Sequence, residues 1–197
     1  VVACSGRLLL AWYTARRLIL SATGEFPASI QLLLEQVREL LAFRKKVALR
    51  ISATIETPAV VGWLKPVILL PVSAMTGLNE IQLRAILAHE LAHIRRHDFL
   101  VNMLQRCIEA LLFYHPAVWW LSARVRVERE NCCDDLALTV SKDRLAYARA
   151  LLELERARIE EPALAVAAVG SGLTQRIHRI LARETSGHDS QSAVSAL

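Results

Sequence analysis

Two histidines four residues apart, His89 and His93, constrain the fold of this chain more than any other feature. On an α-helix, residues at this spacing lie on the same face with their Cβ atoms about 6 Å apart. Two imidazoles held at that separation can bind one Zn²⁺ ion at Zn–N distances of about 2.0–2.1 Å. Glu90 follows the first histidine, and its carboxylate can take a proton from a metal-activated water. The three residues form an H-E-x-x-H motif.

The surrounding sequence predicts that this motif lies on an amphipathic helix. Asn79 and Gln82 have the spacing of a capping box, which predicts a helix that begins near Glu80. Apolar residues then recur at helical spacing, at Leu83, Ile86, Leu87, Leu91 and Ile94. Because solvated histidines seldom have such neighbours, we favour a zinc site of the kind found in peptidases over a pair of surface histidines.

The whole chain predicts an α+β fold that is mainly helical. Helical periodicity predicts helices over residues 1–20, 28–44, 80–96, 117–140, 144–158 and 172–183. The motif helix is expected to continue with a bend through residues 99–113, because no Gly or Pro intervenes, and to end at His115-Pro116. Strand patterns at residues 47–55, 59–64 and 67–70 predict a small, mostly antiparallel sheet next to the motif helix.

The hydrophobic content of the chain points to a membrane. Apolar residues make up 54% of the sequence, above the ~45–50% that is usual in soluble domains. The two most apolar stretches, residues 8–20 and 99–121, contain charged residues and do not predict clean membrane spans. Arginines beside such helices are typical of the cytoplasmic membrane face. We therefore predict a membrane-flanking helix over residues 1–22, the main domain over residues 23–184 and a polar linker or tail over residues 185–197.

Charge and cysteine content exclude other classes of protein. The net charge is +5, but the basic residues are scattered and form no nucleic-acid motif, so we expect no direct nucleic-acid binding. The adjacent Cys132 and Cys133 cannot form an ordinary disulfide, and reduced thiols in a reducing compartment are expected. The chain begins at Val1 rather than Met, so we expect it to be part of a longer protein. Its oligomeric state cannot be read from the sequence.

A catalytic zinc ion usually has three protein ligands, so a third ligand is needed. The downstream candidates are His97, Asp98, His115, Glu128, Glu130, Asp134 and Asp135. On a straight helix His97 would lie about 12 Å from His89, which is too far to share one ion. Glu130 and Asp134 share a helix face and could act as a ligand and as a carboxylate that orients a zinc-bound imidazole. Spacing alone leaves an ordinary charged helix face as an equal alternative.

Four blocks of sequence resemble the BlaR/MecR family of membrane-embedded metallopeptidases. They occur in order at residues 57–71, 89–98, 113–120 and 129–134. The resemblance implies a gluzincin-type zinc peptidase in which the Glu of an E-x-x-C-D block is the third zinc ligand. That block matches residues 130–134 here, so Glu130 is the expected ligand, together with His89 and His93, and Glu90 is the expected general base. Asp134 is expected to orient one of the histidines.

The resemblance also implies a place in signalling. Its best-known members are sensor-transducers of the bacterial inner membrane, with a catalytic domain facing the cytoplasm that leads to cleavage of a transcriptional repressor. The expected partners are therefore a protein or peptide substrate and the membrane. No S-x-x-K serine motif of the sensor domain occurs here, so the stimulus stays open. The alternatives are an HtpX- or CAAX-type membrane zinc protease and a zinc-binding signalling module with little activity.

Other residues near the motif are expected in supporting roles. Tyr114, His115 and Tyr147 are possible donors to a tetrahedral intermediate, although each is more often a packing residue. Asp98 is expected to pair with a nearby Arg or to cap backbone. Trp119 and Trp120 are expected at a membrane interface or in the core.

Overall fold

The computed structural model describes residues 26–160 and 170–182. Within these residues the chain forms an α+β fold that is mainly helical, as predicted. The predicted regions over residues 1–22 and 185–197 lie outside the described residues. The elements, in chain order, are α1 (Ala28–Leu40), β1 (Ala48–Ser52), β2 (Ala59–Val61), β3 (Val67–Pro71), α2 (Val72–Gly77), α3 (Glu80–Arg95), α4 (Asp98–Leu111), α5 (Pro116–Ser141), α6 (Arg144–Glu160) and α7 (Gly170–Ala182).

Helix α3, which carries the H-E-x-x-H motif, lies at the centre of the fold. It packs against α1, α5, α6 and β2. The predicted capping box begins the helix, because Asn79 Oδ1 accepts from the Gln82 amide and Gln82 Oε1 accepts from the Asn79 amide, both at 2.9 Å. Ten of its residues are buried, from Gln82 to Ala92, so nearly the whole circumference of α3 is covered. A helix buried on all sides holds its histidines in a fixed orientation.

The sheet contains three strands in the order β1-β3-β2 and is mixed rather than mostly antiparallel. Strand β3 pairs in parallel with β1, from Ala48 opposite Val67 to Ser52 opposite Pro71, and antiparallel with β2. The predicted second strand is shorter than expected because Gly62 turns the chain at a φ of +90°. A Cβ atom there would lie 2.8 Å from the Lys65 carbonyl oxygen, so only glycine fits this turn. Because the strand order is β1-β3-β2, strand β2 lies at an edge of the sheet, and it faces α3.

The prediction that the motif helix continues with a bend was wrong. Helix α3 ends at Arg95, and His97 adopts a left-handed conformation with a φ of +57° before α4 begins at Asp98. Histidine is one of the residues that adopt this conformation more often than most, so neither Gly nor Pro is required for the break. The turn brings Asp98 back to the end of α3 and buries it.

No helix within residues 26–160 and 170–182 is long and apolar enough to cross a membrane. The candidate stretch over residues 99–121 is divided between α4 and α5. As predicted, the chain breaks at His115-Pro116 and a new helix follows. Pro116 is its first residue, a position at which a backbone N–H would have no hydrogen-bond partner within the helix. The other candidate stretch, residues 8–20, lies outside the described residues.

The left-handed turn gives a test of the fold. We expect His97→Gly to keep or raise the free energy of unfolding, because glycine adopts a positive φ without steric cost. His97→Val should lower it by about 1–2 kcal/mol, because a β-branched residue is strained there. Urea denaturation of both variants measures the difference. Equal stability of the two would contradict the left-handed conformation of His97.

Candidate metal centre

Helix α3 places the two histidines and the glutamate of the motif at one buried point. The Nε2 atoms of His89 and His93 lie 3.2 Å apart, and the planes of the two rings are nearly perpendicular. His89 and Glu90 are both buried, with exposed fractions of 6% and 7%. The i,i+4 spacing therefore has the consequence that the sequence predicted: both imidazoles leave α3 on one side and meet at their outer nitrogens.

Helix α5 brings Glu130 to the same point. Its Oε2 atom lies 3.6 Å from His89 Nε2 and 3.9 Å from His93 Nε2. Donor atoms at the corners of a tetrahedron around zinc, at bond lengths of ~2.0–2.1 Å, would be about 3.3 Å apart. The three donors therefore fit one ion with only small side-chain movements. Among the described residues they form one of two groups that could hold a metal.

The inner nitrogen of His89 is held by a buried polar network. His89 Nδ1 lies 3.1 Å from Asp134 Oδ1 and 2.9 Å from the hydroxyl of Tyr147, which donates to the same Asp134 oxygen at 2.6 Å. Asp134 and Tyr147 are both fully buried. Hydrogen bonds of this kind direct the other ring nitrogen towards a metal. Asp134 thus contacts His89 on the side of the ring away from His93 and Glu130.

The inner nitrogen of His93 is held in the same way by a residue that sequence reasoning assigned elsewhere. His93 Nδ1 lies 2.8 Å from Asp98 Oδ2 and 3.3 Å from the sulfur of Cys133. Arg96 also approaches Asp98, at 3.5 Å, so the expected arginine pairing exists beside the histidine contact. Each histidine of the motif therefore has its own buried carboxylate, one from α4 and one from α5.

Several other candidate residues do not join this site. His97, His115 and Glu128 are exposed, and Glu128 pairs with Arg124 at 2.8 Å. Asp135 pairs with Arg179 on α7, also at 2.8 Å. Tyr114 is 69% exposed, at the turn between α4 and α5. Arg176 on α7, which the sequence did not single out, lies at the site and binds Asp134.

Charge coupling in the site perturbs the pKa values of its residues in opposite directions. Burial opposes protonation of His89, but its contacts with Asp134 and Glu130 outweigh that cost and raise its pKa to about 9. Burial alone would raise the pKa of Glu130, but His89, His93 and Arg176 lower it to about 2. His89 is therefore protonated at neutral pH in the metal-free site, where Asp134 and Glu130 face it. A divalent cation bound by the imidazole would take the place of that proton.

The pKa of Glu90 is shifted in the opposite direction to the pKa values of Glu130 and Asp134. Burial raises its pKa above the ordinary value, although the neighbouring histidines act in the opposite direction. Burial likewise raises the pKa of Cys133, and nearby carboxylates add to the effect, so its thiol is neutral at pH 7. Burial thus increases the proton affinity of Glu90, whereas the pKa values of Glu130 and Asp134 are lowered.

A cavity of about 430 Å³ opens onto these residues. His89, Glu90, His93, Glu130 and Arg176 line one part of it. Apolar side chains from α3, α6 and α7, including Ile86, Leu151, Leu154 and Leu173, line another part, and Ala59 and Val60 of β2 form an edge. The cavity is large enough for a few residues of an extended peptide.

Comparison with known proteins identifies the family. A family model described as BlaR1 peptidase M56 matches residues 2–180. The chain belongs to this peptidase family. The predicted resemblance to the BlaR/MecR family is therefore confirmed.

Curated relatives match the chain over part of their length. The chain is 28% identical over 144 residues to the regulatory protein BlaR1 of Bacillus licheniformis, covering 72% of this chain and 24% of that protein. It is 25% identical over 113 residues to the methicillin resistance mecR1 proteins of Staphylococcus aureus and Staphylococcus epidermidis, covering 56% of this chain and 19% of each. The chain thus spans about a quarter or less of the length of these relatives.

The raised pKa of His89 gives the metal-free protein a defined pH dependence. Because folding raises this pKa from 6.5 to about 9, protonated His89 stabilises the fold fully below pH 6.5, and this stabilisation is lost as the pH rises through about 9. We expect the urea concentration at the unfolding midpoint of the metal-stripped protein to decrease as the pH is raised from 6.5 to 8. His89→Gln should flatten this decline, since glutamine does not titrate. A midpoint that is constant or rises in the unsubstituted protein would contradict the assignment.

Proposed function

We propose that this chain is the catalytic domain of a zinc metallopeptidase that hydrolyses peptide bonds in regulatory signalling. His89, His93 and Glu130 are the proposed metal ligands, and Glu90 is the proposed general base. The observation that carries the proposal is that the three donor atoms lie within 4.8 Å of one another beside a cavity lined by Glu90. Two imidazoles and one carboxylate are a donor set that zinc enzymes use when a position is left for water.

In the proposed reaction the side chains of this protein hold the substrate and move one proton. A zinc ion held by the three ligands would supply Lewis-acid polarisation of water and of the scissile carbonyl. Glu90 accepts the proton of the attacking water and then donates it to the leaving amine. Its raised pKa favours this role, because a buried carboxylate takes up a proton more readily than a solvated one. Asp134, Tyr147 and Asp98 keep the two imidazoles oriented.

We further propose that the substrate is an extended polypeptide that lies along β2. This strand is at the edge of the sheet, and Ala59 and Val60 line the cavity that contains Glu90. An extended peptide can pair with such an edge through its backbone, so that its scissile bond is presented to the motif helix. Relatives named as a regulatory protein and as resistance proteins support a regulatory substrate, of which a transcriptional repressor is one kind.

The family match favours a BlaR1-type peptidase over the HtpX- or CAAX-type alternative. The remaining competing function is a zinc-binding signalling module with little activity. Glu90→Gln separates catalysis from signalling by binding. We expect this substitution to lower the rate of peptide cleavage by at least about a hundredfold, because it removes the general base. Bound zinc, measured by elemental analysis, should stay at one equivalent. Glu130→Gln is the matched variant and should lose zinc together with activity. Unchanged signalling in cells that carry Glu90→Gln would favour the binding module.

We also propose that helices α4 and α5 dock on the bacterial inner membrane, with the catalytic site on the cytoplasmic side. The hairpin that they form is polar inside: Arg126 binds buried Glu109 at 2.8 Å, and Gln105 donates to the Ser122 carbonyl at 2.9 Å. Near the turn between the two helices its outer surface is mostly apolar, whereas charged Arg106 and Arg124 are exposed elsewhere on it. We name as the hairpin tip the exposed residues Leu111, Phe113, Tyr114, Trp119, Trp120 and Leu121, whose exposed fractions are between 47% and 70%. Exposed aromatic and aliphatic side chains together are typical of a lipid contact.

Tryptophan fluorescence tests this docking. In a Trp12→Phe background, we expect lipids with brominated acyl chains, in vesicles of phosphatidylethanolamine and phosphatidylglycerol, to quench the emission of Trp119 and Trp120. Substituting both by Phe should remove most of the quenching. Trp63→Phe is the control, because Trp63 is also exposed but lies in the turn after β2. Quenching that depends on Trp63 and not on Trp119 or Trp120 would contradict the proposed orientation.

A further inference from the structure

Helix α7 is joined to α5 by two matched pairs of charges. Arg176 and Arg179 are three residues apart on α7, and they bind Asp134 and Asp135, which are adjacent on α5. Arg179 also donates to the Asn131 carbonyl at 3.3 Å, and the carbonyl of Ile180 accepts from Arg144 at 3.2 Å. Ile180 of α7 is buried in the core, and Leu173 packs against it. The docking of α7 therefore combines apolar packing with these polar contacts.

The two arginines differ in whether their partners contact the proposed metal site. Arg176 donates two hydrogen bonds to Asp134, from Nε to Oδ2 at 3.0 Å and from Nη2 to Oδ1 at 2.6 Å. Its third nitrogen, Nη1, lies 3.6 Å from Glu130 Oε2. Asp134 in turn contacts His89. Arg176 is therefore linked to the proposed ligand His89 through Asp134, and it lies beside the proposed ligand Glu130. Arg179 contacts Asp135 and Asn131, and it does not line the cavity.

A carboxylate that orients a metal ligand must itself be held. Asp134 Oδ1 accepts hydrogen bonds from Tyr147 and Arg176. Within the described residues, the hydrogen bond that Oδ2 accepts comes from Arg176. A bidentate guanidinium fixes both oxygens in one plane, which a point charge such as lysine cannot do. Without it, fully buried Asp134 would turn towards another donor and withdraw its support from His89 Nδ1.

We propose that Arg176 is a positioning residue of the zinc site, and that its two hydrogen bonds to Asp134 increase the affinity of the site for zinc. Arg176 acts through Asp134 on His89, and this positioning effect has to exceed the repulsion between the guanidinium and a bound zinc ion. The inference rests on the proposed zinc site. It goes further because it makes a helix outside the H-E-x-x-H and E-x-x-C-D blocks a part of that site.

Zinc affinity in three variants of the intact protein tests this proposal. Arg176→Gln removes the grip on Asp134, and Arg176→Lys keeps the charge but loses the bidentate geometry. Arg179→Gln is the matched control, because it removes the other arginine–aspartate pair of the same helix. Zinc affinity is measured by competition with a chromophoric chelator at pH 7.5, and the urea midpoint of each metal-stripped variant is measured in parallel.

We expect Arg176→Gln to weaken zinc binding by about 10- to 100-fold and Arg176→Lys by a smaller factor. Arg179→Gln should change zinc affinity by less than about threefold, although it lowers the urea midpoint as well. Equal zinc affinity in Arg176→Gln and the unsubstituted protein overturns the inference and leaves the zinc site standing. Equal losses in Arg176→Gln and Arg179→Gln also overturn it, because they indicate general loosening of α7.

If Arg176→Gln does not fold, Arg176→Lys and Arg179→Lys decide in the same assay. A loss of zinc affinity in Arg176→Lys alone supports the positioning role, and equal affinities overturn it. Failure of the unsubstituted protein to bind zinc would instead overturn the proposed function, and this inference with it. Because the readout is zinc affinity, absence of peptide cleavage with a chosen substrate does not affect the result.

Discussion

The structure depends on gathering charged groups at one buried point between α3 and α5. Carboxylates removed from water are costly unless cations or donors face them, and the site contains Glu90, Asp98, Glu130 and Asp134 close together. The imidazoles of His89 and His93 and the guanidinium of Arg176 supply part of the compensation. A divalent cation at the meeting point of the three outer donors would supply more. The convergence of three donor atoms on one point is a physical reason to expect a metal ion there.

The fold serves this arrangement by turning the chain twice beside α3. The left-handed residue His97 ends α3 and returns Asp98 to His93, and the turn before Pro116 sends the 26-residue helix α5 along α3 with Glu130, Cys133 and Asp134. Both inner ring nitrogens thereby meet a carboxylate while both outer nitrogens face Glu130. Buried partners on every side of α3 leave the imidazoles little freedom, so the geometry is preorganised before any ligand binds.

Features that depend on neighbouring residues could be predicted from the sequence. The shared helix face of His89 and His93, the capping box at Asn79 and the break between helices at Pro116 all depend on local sequence, and each was predicted. Features set by tertiary contacts could not. The parallel pairing of β1 with β3 leaves no mark in the alternation of either strand, and the left-handed turn at His97 has no glycine to indicate it. Arg176 lies on a helix far along the chain from Asp134, so only the fold brings the two together.

X-ray absorption at the zinc edge tests the central claim most directly, because the described residues offer two competing donor groups. The proposed ligands are His89, His93 and Glu130, whereas the other group contains His93, Asp98 and the thiol of Cys133. The account predicts a spectrum with two imidazoles and only nitrogen or oxygen donors at about 2.0–2.1 Å. A sulfur donor at about 2.3 Å would place the ion on Cys133, and a single imidazole would exclude His89 or His93 as a ligand. Either result would contradict the proposed centre.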